Sequence, residues 1–153
     1  MDDLKILTDI ETECFPAAEA AKEEDFIKRL AAYPDRFWLL EKDGKVIAFI
    51  DGMTTDEPDL RDEMFEDASI HNPEGRWQMI FGLNTLPAHR EKGYAGMLIK
   101  ALLEDAKSEG RAGAVLTCKD HLVGYYASFG FVDEGLSGSE HGGVAWHQMR
   151  IEF

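Results

Sequence analysis

The stretch from residue 78 to residue 117 constrains the fold of this chain more than any other. Residues 78–85 make a long apolar run, Pro87 follows, residues 93–108 set Leu98, Leu102 and Leu103 on one helical face, and residues 113–117 make a second short apolar run. A strand, an amphipathic helix and a strand in that order imply two parallel strands, because only a crossover containing a helix returns the chain to the same end of a sheet. Antiparallel neighbours come from the rest of the chain. Residues 36–40 and 45–50 flank Asp43-Gly44, a hairpin turn signal, and residues 132–136 and 144–151 form a second such pair across a Gly- and Ser-rich loop.

Leu4, Leu7, Ile10 and Cys14 recur at helical spacing behind an Asp pair suited to capping, which predicts a helix over 3–14 that Phe15-Pro16 breaks. Residues 23–32 make a second helix, with acids in its first turn and Lys28 and Arg29 later. Residues 122–129 make a short helix ended by Gly130. The acidic stretch 56–72 reads as a surface excursion with a short helix around 60–65, and His71 reads as a surface residue. The order α, α, β, β, β, α, β, α, β, β describes an α/β fold: a mixed, mainly antiparallel sheet with one parallel crossover, flanked by helices. With 153 residues and no repeat, low-complexity tract or linker, residues 1–153 are expected to form a single domain.

Charge divides unevenly. The net charge is −14, of which residues 1–75 hold −13 (21 acids, 8 bases) and residues 76–153 hold −1 (9 acids, 8 bases). Such acidity argues against a nucleic-acid or anionic-membrane partner. It fits simple solubility, and equally an acidic half that draws in a cation beside a near-neutral half that accommodates an anion. No apolar run reaches the roughly 18 to 20 residues that cross a bilayer, and the first residues lack the pattern of a signal peptide, so a cytoplasmic location is expected. Cys14 and Cys118 read as free thiols. No spacing of His, Cys and carboxylates suggests a metal, and no Ser/His/Asp arrangement is motivated.

The chemistry concentrates in two segments. Between the apolar run and the long helix stand Arg90, Glu91, Lys92, Gly93, Tyr94, Ala95 and Gly96. Small residues at 93, 95 and 96 permit close backbone approach, and free amides at a helix start face whatever lies before them, so this is a pyrophosphate site or an ordinary helix start with glycines in its turn. The second segment runs from Leu116-Thr117-Cys118 to Tyr126 and Phe131, a strand leading into a short helix.

Together the two segments resemble the GNAT superfamily of acetyl-coenzyme A dependent acyltransferases. Within it the chain is most similar to arylalkylamine N-acetyltransferases, through Cys14-Phe15-Pro16 followed by Glu19-Ala20-Ala21, the strand Val46 to Ile50, the acidic stretch from Asp56 to Phe65, and Leu116 through Phe131. The resemblance implies a GNAT fold with acetyl-CoA as cosubstrate. The loop from Arg90 through Gly96 would hold the pyrophosphate, and backbone N–H groups at Leu83, Asn84 and Thr85 would serve pantetheine and the oxyanion where two strands splay. Tyr126 would protonate the departing thiolate, against the alternative of a packing aromatic. Phe15, Met79, Phe81 and Thr117 would line the acceptor site, with Met79 and Phe81 where the vertebrate enzymes carry relay histidines.

Glu19, in the loop between the first two helices, is a base or a solvated loop acid; Asp51 is a second candidate or a strand-end acid. His121 reads as a helix-start residue and His141 as a loop residue near the acceptor site. The family usually begins with a strand that is not seen ahead of Leu4, so either the recorded start is late or the strand near 36–40 has an open edge to be covered, which leaves room for a homodimer. The expected reaction is direct attack of a small arylalkylamine-like primary amine in a ternary complex. Its rivals are a polyamine, an aminoglycoside or a protein N-terminus as acceptor, a non-catalytic CoA-binding module, and a structural interaction domain.

Overall fold

A computed structural model of the chain describes residues 4–15, 21–90, 92–137 and 145–153. Helix α1 (Leu4–Cys14) buries Leu7 and Ile10, and α2 (Glu23–Ala32) buries Phe26, so the apolar positions of both amphipathic repeats face the sheet. Asp25 caps α2 by accepting from the Lys22 N–H at 3.0 Å. Strands β1 (Phe37–Lys42) and β2 (Lys45–Asp51) form the predicted hairpin, its turn made by Asp43 and Gly44 at φ 54° and 79°.

The crossover is β4 (Trp77–Ile80), α4 (Tyr94–Ser108) and β6 (Gly113–Cys118), with β4 and β6 parallel from Trp77↔Gly113 to Ile80↔Leu116. On the far side of β6 lie β8 (His147–Glu152) and then β7 (Val132–Leu136), both antiparallel to their neighbours. Helix α5 (Val123–Ala127) is shorter than the predicted 122–129: a tight turn over Asp120–Leu122 takes its first residue, and the helix ends two residues early. His121 stands in that turn.

The apolar run 78–85 is not one strand. It breaks at Phe81 into β4 and β5 (Gly82–Thr85), because the Phe81 N–H and the Gly82 position both meet Asp51 and one residue is left over. Past this bulge β5 ladders with β2 alone, while β6 continues alongside β8. The two strands therefore part. Among the described residues β1 has β2 as its one ladder partner.

The acidic stretch 56–72 does more than ride on the surface. A two-residue strand, β3 (Thr54–Thr55), pairs with β4, and α3 (Glu63–Glu66) begins later than predicted. Leu60 and Met64 fill a second core with Tyr33, Met53, Met79 and Val115. His71 is half-buried beside them, which corrects its surface assignment: its ring lies tilted against Tyr33 with centroids 4.8 Å apart, and its Nδ1 accepts from the Thr54 N–H at 3.1 Å. Among the described residues no helix is long and apolar enough to cross a membrane.

Candidate active site

The parting of β5 from β6 makes the site. The Leu86 N–H donates to the Ile47 carbonyl at 2.9 Å, and ladder alternation then turns the backbone groups of Gly82 and Asn84 toward β2. The N–H groups of Leu83 and Thr85 point the other way, into the gap. A cavity of about 640 Å³ opens there, walled by Phe81, Gly82 and Leu83 on one side and by Thr117 and Cys118 on the other. Residues of α1 and α2 cover it, and Tyr126 enters from α5.

At the end of β5 the chain is tied down by its own side chains. The Thr85 carbonyl accepts from Arg90 Nε at 3.0 Å and from Cys14 Sγ at 3.3 Å. Gly93 adopts φ 81°, a left-handed conformation that turns the chain into α4, and a Cβ there would meet nothing within 4 Å. Its requirement for glycine is thus conformational. The first helical bond in α4 is Met97 N–H to the Gly93 carbonyl, so the N–H groups of Tyr94, Ala95 and Gly96 face outward along the axis without helical partners. A Cβ on Gly96 would stand 3.3 Å from Phe129, so that small residue serves packing against the segment after α5. Lys92 is exposed; Glu91 lies outside the described residues.

Tyr126 lines the cavity with its ring edge-on to Tyr125 at 5.3 Å and to Phe131 at 6.2 Å. Burial pushes its phenol well above the usual range, and burial likewise pushes the Cys118 thiol up to about 11. Both groups hold their protons at neutral pH. Tyr125 is 40% exposed and does not line the cavity.

Phe15, Phe81 and Thr117 stand in the cavity wall. Met79 does not: it is fully buried in the second core, which Phe81 also borders from the cavity side. The Asn84 side chain is turned to α1 and donates to Glu11. Glu19 falls within 16–20 and His141 within 138–144, outside the described residues.

Asp51, the second candidate base, belongs to a buried polar cluster whose other members, Glu11 and Arg29, the sequence pattern did not single out. Glu11 is 6% exposed, Arg29 is 3% exposed and Asp51 is fully buried, and Arg29 Nη1 donates to Asp51 Oδ2 at 3.1 Å. Arg29 also donates to the Phe65 carbonyl at 3.0 Å and lies 5.1 Å above the Phe81 ring. The signal was present: Glu11 falls on the Leu7 and Cys14 stripe of α1, and Arg29 on the Phe26 and Tyr33 stripe of α2. A charge on an apolar stripe has to find a partner inside.

The model of the acetyltransferase (GNAT) family matches residues 4–131. Human N-acetyltransferase 8B is 27% identical over 104 residues, which are 66% of this chain and 40% of that protein. Serotonin N-acetyltransferase of Mesocricetus auratus is 28% identical over 113 residues, 73% of this chain and 53% of that protein. The chain thus spans 40 to 53% of the length of these curated relatives. A GphF GNAT-like decarboxylase in complex with isobutyryl-CoA superposes with a TM-score of 0.85 at 20% identity, covering 99% of this chain and 95% of that one. A GNAT family acetyltransferase from Brucella melitensis in complex with acetyl-CoA does so at 0.62 and 18%, covering 99% and 82%. At these identities the likeness is one of fold.

Proposed function

Since the chain belongs to the acetyltransferase (GNAT) family, we propose that it transfers the acetyl group of acetyl-CoA to a primary amine, a small arylalkylamine-like molecule, by direct attack in a ternary complex. The observation that carries this reading is the convergence on one cavity of unladdered amides on β5 and a protonated phenol on α5, with the glycine-turned start of α4 beyond the end of β5. Two solved structures of the same fold hold acyl-CoA thioesters, which supports a thioester in the gap between β5 and β6.

Each part then has a role. The amides of Tyr94, Ala95 and Gly96, with Arg90 and Lys92 beside them, take the pyrophosphate. The Leu83 N–H polarises the thioester carbonyl and steadies the oxyanion that forms when the amine adds. Tyr126 gives its proton to the leaving thiolate, a task suited to a phenol that burial keeps protonated. Phe15, Phe81 and Thr117 receive the acceptor's side chain. The likeness to serotonin N-acetyltransferase supports an aryl-bearing amine, as do these aromatic walls.

Thiol release from acetyl-CoA, measured against tryptamine, phenethylamine, polyamines, aminoglycosides and an alanine-terminated peptide, tests the reading. Turnover is expected with the first two. In the same assay Tyr126→Phe should lower kcat by about 10- to 100-fold, while acetyl-CoA binds as before. Activity confined to another acceptor class would move the substrate, and wild-type turnover in Tyr126→Phe would return Tyr126 to a packing role.

A further inference from the structure

Glu11 meets the cavity where α1 packs on β5, and its carboxylate is held from two sides. Asn84 donates Nδ2–H to Oε1 at 2.6 Å, and the Ala21 backbone N–H donates to Oε2 at 2.9 Å. Next to it, fully buried Asp51 takes the Arg29 guanidinium on Oδ2, while its Oδ1 has no hydrogen-bond partner. Gly82 belongs to the cavity wall, and a Cβ on it would stand 3.2 Å from Asp51 Oδ1, 3.5 Å from Glu11 Oε1 and 3.7 Å from Asn84 Nδ2. The missing side chain leaves a notch in the wall, and three polar atoms converge on it.

On the acetyl-transfer reading above, we propose that Glu11 is the proton acceptor for the amine, with Asp51, Arg29 and Asn84 as its positioning residues. The arriving ammonium group gives one proton to the Glu11 carboxylate. The freed lone pair forms the N–C bond to the thioester carbonyl carbon, and the C–S bond breaks with its electron pair passing to sulfur. The thiolate takes a proton from Tyr126, which recovers one from the protonated amide nitrogen. Glu11 releases its proton to solvent, so an ammonium ion and an acyl thioester become an amide, a free thiol and one proton.

The surroundings suit that exchange. Burial pushes the Asp51 carboxyl up to about 7; the Arg29 guanidinium pulls it back and the Glu11 charge pushes it further. Two interacting carboxylates titrate as a pair, so a proton taken up here is shared between Glu11 and Asp51. Across the cavity, Lys22 and Lys28 stand against Glu24, Asp25 and Glu66 in its lining, charges of both signs that nearly cancel. Cys14 on the same helix has its thiol raised by burial, and Tyr126 is raised likewise, so both are neutral toward Glu11.

The test is the pH profile of kcat/KM for the amine, with acetyl-CoA affinity followed by calorimetry. Glu11→Gln should lower kcat/KM by about 100-fold and abolish the acid limb of the profile, with acetyl-CoA affinity kept. Asn84→Ala removes a donor to the charged carboxylate and should move the limb to higher pH. Asp51→Asn removes a neighbouring negative charge and should move it to lower pH. Opposed shifts do not come from a loosened fold, and they decide the matter even where Glu11→Gln fails to fold. A wild-type profile in Glu11→Gln, or shifts of one sign in the other two, would overturn the assignment and leave acetyl transfer standing. Absence of wild-type turnover with every amine would overturn both.

Discussion

His71 carries a pH dependence that its sequence context hides. Its Nδ1 accepts from the Thr54 N–H, and burial lowers its imidazole below the ordinary value. Above about pH 6.5 the ring is neutral both folded and unfolded, and its packing contributes fully. As pH falls below that point the unfolded chain takes the proton first, so stability is lost toward the depressed folded value. Asp51 acts with the opposite sign: raised to about 7, it favours the folded state at low pH and that contribution fades as pH rises through 7. A single stability curve mixes the two, so the measurement is a difference. His71→Gln keeps an acceptor for Thr54 but does not titrate. The gap in melting temperature between it and the wild type should be constant above pH 7 and shift in favour of the variant between pH 6.5 and 5. A gap that stays level across that range would mean the ring titrates as an exposed one.

At the scale of elements, the start of α4 separates conformation from access. A side chain at Gly93 finds open space but must hold φ 81°, which costs about 1 to 2 kcal/mol for a residue such as Ala or Leu. Gly93→Ala and Gly93→Leu should therefore lose similar stability, about 3 to 6 °C in Tm for a chain of this size. Their CoA affinities should diverge, Leu losing more, because only the larger side chain screens the amides of Tyr94 to Gly96. Equal losses of affinity would make strain the whole effect and remove the pyrophosphate from this turn. The elements themselves were largely readable. Asp43-Gly44 announced the hairpin, and the 78–117 pattern announced the crossover, since turn chemistry and periodicity are local. The break at Phe81 was not, because nothing in an apolar run says which residue will be left over when Asp51 bonds to two neighbours at once. That bulge opens the gap between β5 and β6, so the elements were legible while the feature that joins them into a site was not. Met79 shows the same limit: two residues before Phe81 it shares that strand face, yet it stays wholly in the second core while Phe81, at the bulge, borders both the core and the cavity.

Over the whole molecule, the uneven charge becomes a spatial arrangement. Residues 1–75 build α1, α2, α3 and the strands β1 to β3, and residues 76–153 build β4 to β8 with α4 and α5. The cavity lies on the seam, with its cover from the acidic half and Leu83, Thr117 and Tyr126 from the near-neutral half. An ammonium ion therefore approaches through the field of the half holding −13 of the net −14, whereas a coenzyme A anion meets a chain of its own sign with Arg90 and Lys92 as local relief. Salt should act on the two substrates in opposite directions, since screening shortens to about 8 Å at physiological ionic strength. Raising ionic strength from 20 to 200 mM, order-of-magnitude bounds for the Debye range in question, should lower kcat/KM for a cationic amine roughly two- to tenfold. Over the same range kcat/KM for acetyl-CoA should hold or rise, as long-range repulsion fades faster than the short contacts at the start of α4. A neutral acceptor such as hydroxylamine should show no fall, which isolates the charge on the amine from any effect of salt on the fold. If all three parameters fell together, salt would be weakening the pyrophosphate contacts, and the acidic half would be a device for solubility with no part in drawing in the acceptor.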